Sequence, residues 1–122
     1  LVSEAAQTLA QRRIGVLIVS SDGEHVDGIL SERDIVRSLG VRGAKCMSEN
    51  IDDMMTHNPV CCTRRDTADD VLGRMTDGRF RHMPVVENGK LLGIVTIGDV
   101  VKARLAELAM EKDALEGMIM GH

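Results

Sequence analysis

A chain of 122 residues with 43% hydrophobic content can bury one compact core, and with Phe80 as its only aromatic residue that core must be aliphatic. This excludes an aromatic-rich β-sandwich and favours mixed helix and strand. A net charge of -4 with 28% charged residues lacks the basic footprint of a dedicated nucleic-acid binder, and no apolar run approaches the roughly 20 residues that span a bilayer.

In chain order, SEAAQTLAQRR (Ser3–Arg13) reads as a helix and Val16–Val19 as a β-branched strand. Asp22-Gly23 marks a hairpin turn within Ser20–Gly28. The returning strand ends at Ser31, where a helix begins. Val41–Asn58 reads as a polar linker with a short helical piece around Ile51–Met55. Pro59–Thr67 reads as a short strand leading into a helix. Thr67 sits at the N-cap of that helix, and Ala68, Val71, Leu72 and Met75 keep helical spacing. Val85–Val86 and Ile94–Val95 flank a second hairpin turn at Asn88-Gly89. From Asp99 a long helix carries Val101, Leu105, Leu108, Lys112, Leu115 and Ile119 in heptad spacing, with Lys112 its one polar member. Such a seam either packs on its own domain or meets a second copy.

Cys46, Cys61 and Cys62 are an odd number without a disulfide framework, which points to a reducing cytoplasm, and no signal peptide is visible. A metal site at Cys61-Cys62 would need converging ligands, whereas neighbours in a strand face opposite ways. One buried and one half-exposed cysteine is the plainer expectation, and the eight methionines are expected to fill core gaps.

The informative feature is a repeat. GILSERDIV (Gly28–Val36) returns as GIVTIGDVV (Gly93–Val101). Walking backwards from each glycine, GVLIV (Gly15–Val19) meets HMPVV (His82–Val86), and SEAAQTLAQRR meets DDVLGRMTDGR with one extra residue in the second copy. Each unit reads helix, strand, turn, strand, helix. Only the second has the strand at Pro59. With Leu1 rather than Met first, the expectation is that the opening strand of the first unit is missing. The units are 1–40 and 59–105, joined by the linker 41–58 and followed by a helical extension over 106–122.

Ser31-x-x-Asp34 and Thr96-x-x-Asp99 place a hydroxyl and a carboxylate at a helix start. Taken once, that is a capping box and needs no ligand. Taken twice, it also offers what a nucleotide requires: free amides for phosphate, a carboxylate for both ribose hydroxyls and a hydroxyl beside them.

On GILSERDIV, GIVTIGDVV and RHMPVV (Arg81–Val86) the chain resembles a tandem pair of CBS domains, or Bateman module, over nearly all of Val2–Leu105. It is most similar to small stand-alone bacterial proteins made of little but this pair. The resemblance implies an α+β fold of two βαββα units about a pseudo-twofold axis, the first lacking its opening strand. It implies clefts for adenosine-containing ligands: AMP first, then ATP, ADP or NAD(H). It assigns ribose to Asp34 and Asp99, and ribose or phosphate to Ser31 and Thr96. It places Ile14, Gly15 and Val16 in the first cleft and Arg81, His82, Met83 and Pro84 in the second, with Val60 facing adenine. No metal is required.

Arg81 and His82 then stand where the first unit has Ile14 and Gly15. Arginine matches phosphate bidentately and permanently, so the second cleft is expected to bind tighter. Arg33, opposite Gly98, opposes the dipole of its own helix, a small cost that suits an arriving anion. The expected function is an energy-sensing regulatory module, a homodimer signalling by conformational change to an unknown partner. The alternative is a dimerisation scaffold with unused clefts. No phosphate-loop, nucleophile-elbow or zinc-helix motif points to an enzyme. No membrane partner is expected, and nucleic acid would require the arginines to gather on one face.

Overall fold

The structure, a computed structural model, describes residues 1–119. It is an α+β fold of two similar units. The first contains α1 (Val2–Arg12), β1 (Val16–Val19), β2 (Gly28–Ser31) and α2 (Glu32–Arg42). The second contains α3 (Ala68–Gly78), β4 (His82–Glu87), β5 (Lys90–Thr96) and α4 (Ile97–Ile119). Between them run two 3-10 turns, Ala44–Ser48 and Ile51–Asp53, and the two-residue strand β3, Thr56–His57.

Each hairpin is antiparallel. Val16 pairs with Ser31 and Val19 with Gly28, while His82 pairs with Thr96 and Val85 with Gly93. Each unit closes its own apolar cluster. Val2, Ala5, Leu9, Leu30, Ile35 and Met55 form one, and Cys62, Val71, Met75, Met83 and Val100 the other. The buried positions on α1 and α3 recur at helical spacing, which is why these stretches are helices. The helices end alike as well. Arg13 and Arg79 both close their helix in the left-handed region, at φ 53° and 57°.

The stretch after α2 is more structured than a polar linker. Met47, Ile51 and Met54 pack on the first core, and Met55 is buried within it. Thr56–His57 then adds an antiparallel edge to β2. Gly28 permits this closure, because a β-carbon there would lie 2.5 Å from the Met55 Sδ. The strand expected over Pro59–Thr67 narrows to one parallel bridge, Cys62 to Val85. Four residues before Cys62, Asn58 adopts φ 47°, turning the chain from the first sheet toward the second. Cys62 is buried and Cys61 half-exposed.

The hairpin of the first unit reaches the second. Leu91 N–H donates to the Glu24 carbonyl at 2.7 Å, and Lys90 lies 3.9 Å from the Glu24 carboxylate. Helix α4 keeps Val100 in the second core, while Leu105, Leu108 and Leu115 of its heptad seam are exposed. The side chain of Ile119 and the end of the expected extension, 120–122, lie outside the described residues. No described helix is long and apolar enough to cross a membrane.

Candidate functional site

The repeated phrase folds the same way twice. Asp34 N–H donates to Ser31 Oγ at 3.2 Å, and Ser31 N–H donates back to Asp34 Oδ2 at 2.9 Å. At α4, Asp99 N–H donates to Thr96 Oγ1 and Thr96 N–H to Asp99 Oδ2, both at 3.2 Å. These bonds hold the Asp99 carboxyl below its ordinary value, the backbone N–H of Thr96 contributing most. Ser31 Oγ also donates to Asp34 Oδ2 at 2.9 Å. Both bonds to the Asp34 carboxylate fall on Oδ2, leaving Oδ1 to accept from elsewhere.

A cleft of about 430 Å³ opens beside the start of α2, within the roughly 300–1,000 Å³ usual for small-molecule sites. The first unit lines it with Gly15, Val16, Ser31, Glu32, Arg33 and Asp34, and with Arg37 one helical turn beyond Arg33. The linker adds Thr56 and Asn58. The second unit supplies the other wall: Val60, Arg79, Phe80, Arg81 and His82. The walls meet at Gly15, where a β-carbon would lie 3.7 Å from both Glu32 Oε1 and His82 Cε1. Burial lowers the His82 pKa from its ordinary 6.5, against the opposing pull of Glu32. His82 is therefore neutral near pH 7.

Eight expected site residues thus share one cleft: Gly15, Val16, Ser31, Arg33 and Asp34 from one side, Val60, Arg81 and His82 from the other. The grouping differs from the expected one. Arg81 and His82 face the Ser31–Asp34 phrase of the first unit, not Thr96 and Asp99 of their own. Thr96 and Asp99 cap α4 and do not line this cleft. Met83 and Pro84 are fully buried within β4, with Met83 in the second core. Ile14 turns instead toward a shallow groove between α1 and α2, lined by Ala6, Ala10 and Val36.

The correspondence between units also shifts by one residue. Glu32 N–H donates to the Gly15 carbonyl at 2.9 Å, and Ile97 N–H to the Arg81 carbonyl at 2.8 Å. Gly15 and Val16 are therefore the counterparts of Arg81 and His82. The longer first turn, Ser20–Asp27, had hidden this register.

Sequence reasoning missed Arg37, Arg79, Phe80, Glu32 and Asn58. The dense run Arg79-Phe80-Arg81-His82 was a signal for two of them. Phe80 folds its ring back over Gly78, where a β-carbon would come within 2.6 Å of Cδ1. This turns an aromatic surface into the cleft. Among the described residues no group of three or more His, Cys, Asp or Glu is arranged to hold a metal ion.

A family model described as "CBS domain" matches residues 1–41 and 51–106. A CBS domain-containing mitochondrial protein of Arabidopsis thaliana is 34% identical over 98% of this chain, which spans 60% of that relative's length. Among solved structures, a CBS-domain-containing protein of Agrobacterium tumefaciens is 46% identical, with a TM-score of 0.77 over 84% of this chain and 82% of that one. A CBS domain protein of Pyrobaculum aerophilum complexed with AMP is 28% identical, with a TM-score of 0.77 over 89% and 85%. The CBS domain pair of protein MJ0100, in complex with 5'-methylthioadenosine and S-adenosyl-L-methionine, is 26% identical, with a TM-score of 0.72 over 87% and 82%.

Proposed function

The chain belongs to the CBS domain family, and from that premise we propose that it is a regulatory module whose composite cleft binds an adenosine 5'-phosphate ligand. The observation that carries this reading is the meeting of the Ser31–Asp34 helix start with the Arg79–His82 wall in one cleft of suitable size. Asp34 Oδ1 would accept from the ribose hydroxyls. The α2 N-terminus and Arg81 would take phosphate. Phe80 and Val60 would pack against the base. AMP in one structural neighbour, and methylthioadenosine with S-adenosylmethionine in another, support an adenosine core.

Binding across two units provides a signal, because the ligand would favour poses that close both walls on it. The module would act on a partner without chemistry of its own, in the cytoplasm and as a homodimer. The exposed Leu105 and Leu108 face of α4 supports the dimer, and sedimentation equilibrium reads it directly: a monomer at micromolar concentration removes that part.

One observation favours the scaffold alternative. Thr67 and Asp70 form the same reciprocal box at α3 without lining the cleft, so a satisfied cap alone demands no ligand. Isothermal titration separates the two readings. AMP should bind, and Arg81→Ala should weaken AMP far more than adenosine. Equal losses refute the phosphate role, and no heat from any adenosine compound leaves the scaffold.

A further inference from the structure

Four arginines line the cleft, two on each wall: Arg33 and Arg37 on α2, Arg79 and Arg81 at the junction of α3 and β4. The arginine ion pairs among the described residues belong to others, Arg42, Arg64, Arg74 and Arg104. The cleft carboxylates are Glu32 and Asp34, and Asp34 is engaged in its cap. With His82 neutral, the cleft holds an excess of two positive charges. One of these cations, Arg33, sits in the first turn of α2, where the helix dipole already repels it. A wall arranged in this way stores repulsion that an anion relieves.

This charge is not a by-product of the repeat. By the register above, Arg33, Arg37, Arg79 and Arg81 correspond to Gly98, Lys102, Arg13 and Gly15. Half of these positions lose their charge in the other unit. A single terminal phosphate can engage about two guanidiniums bidentately. Four, on facing walls, match a longer anionic tail running between them.

Resting on the adenosine reading, we propose that this cleft selects nucleoside di- and triphosphates over the monophosphate, and rejects the cationic adenosyl sulfonium compounds. This order differs from the one expected from the family resemblance, AMP first.

The test is titration of the whole protein with adenosine, AMP, ADP, ATP and S-adenosylmethionine at one ionic strength, with a chelator present so that each tail keeps its own charge. Affinity should rise from AMP to ADP or ATP by about tenfold or more, and fall more steeply with added salt for the longer tails. S-adenosylmethionine should bind more weakly than adenosine. Arg33→Ala and Arg37→Ala, both at helix positions where alanine folds well, should remove most of the ADP and ATP advantage, weakening ATP far more than adenosine. AMP binding as tightly as ATP, or S-adenosylmethionine binding as tightly as ADP, overturns the selection while leaving the adenosine reading intact. Failure of every compound overturns both.

Discussion

Asp34 and Asp99 are equivalent in sequence but not in place, and a matched pair of substitutions uses this. Asp34→Ala and Asp99→Ala each remove the reciprocal bond to one backbone N–H, at 2.9 Å and 3.2 Å. Each also removes a negative charge that complements the dipole at a helix start. Both variants should therefore lose a similar 2–5 °C or so in Tm by calorimetry. Ligand binding should separate them. Asp34 lines the cleft and presents Oδ1 to it, and a hydrogen bond to a charged group contributes about 1.5–3 kcal/mol. Its loss should weaken AMP or ADP roughly 10- to 150-fold by isothermal titration, while Asp99→Ala stays within about twofold at this cleft. Arg81→Ala should also couple with Asp34→Ala in a double-mutant cycle on the liganded state, and not with Asp99→Ala. If Asp99→Ala abolishes binding and Asp34→Ala leaves it intact, the pairing of walls across units is wrong.

Two further outcomes concern the frame. Gly28→Ala pushes a methyl group against Met55, 2.5 Å from Sδ; overpacking of this kind costs about 1–3 kcal/mol, and denaturant titration should find it far smaller in a Met55→Ala background. Asp66 is held below its ordinary 3.8, chiefly by the Arg74 guanidinium with N···O distances of 3.0 Å. A carboxylate with a lowered folded value contributes its full stability above about pH 3.8 and loses it as the pH falls through the lower value. Thermal melts should therefore show wild type and Arg74→Ala converging below pH 3.8; a difference that persists at lower pH assigns Arg74 a packing role instead.

The two hairpins, their helices and the caps were legible because they depend on local patterns: Asn88-Gly89 for a tight turn, Val71 and Met75 on one helix face, a hydroxyl three residues before an aspartate. The grouping of the cleft was not, because it is a long-range fact. Nothing near Arg81 in the sequence says that its neighbour across the gap is Ser31 and not Thr96. Met83 and Pro84 were expected at the site by resemblance, yet both are buried within β4 away from the cleft, Met83 in the second core. The stretch 41–58 read as a linker because its apolar residues, Met47, Ile51, Met54 and Met55, follow no single period. Its 3-10 turns deliver them to the first core one by one.

Neither unit lines the cleft alone. If a chain of this kind arose by copying one unit, a lone ancestor could have bound a ligand only by docking against a second molecule of itself, each lending a wall to the other. Fusing the copies freed the two walls to diverge, since Arg81 and its counterpart Gly15 no longer had to be the same residue. Divergence then ties the halves together. A chimera that takes residues 1–58 from this chain and the rest from a relative would inherit Asp34 and Arg37 facing a foreign wall. Its ligand preference would be that of neither parent.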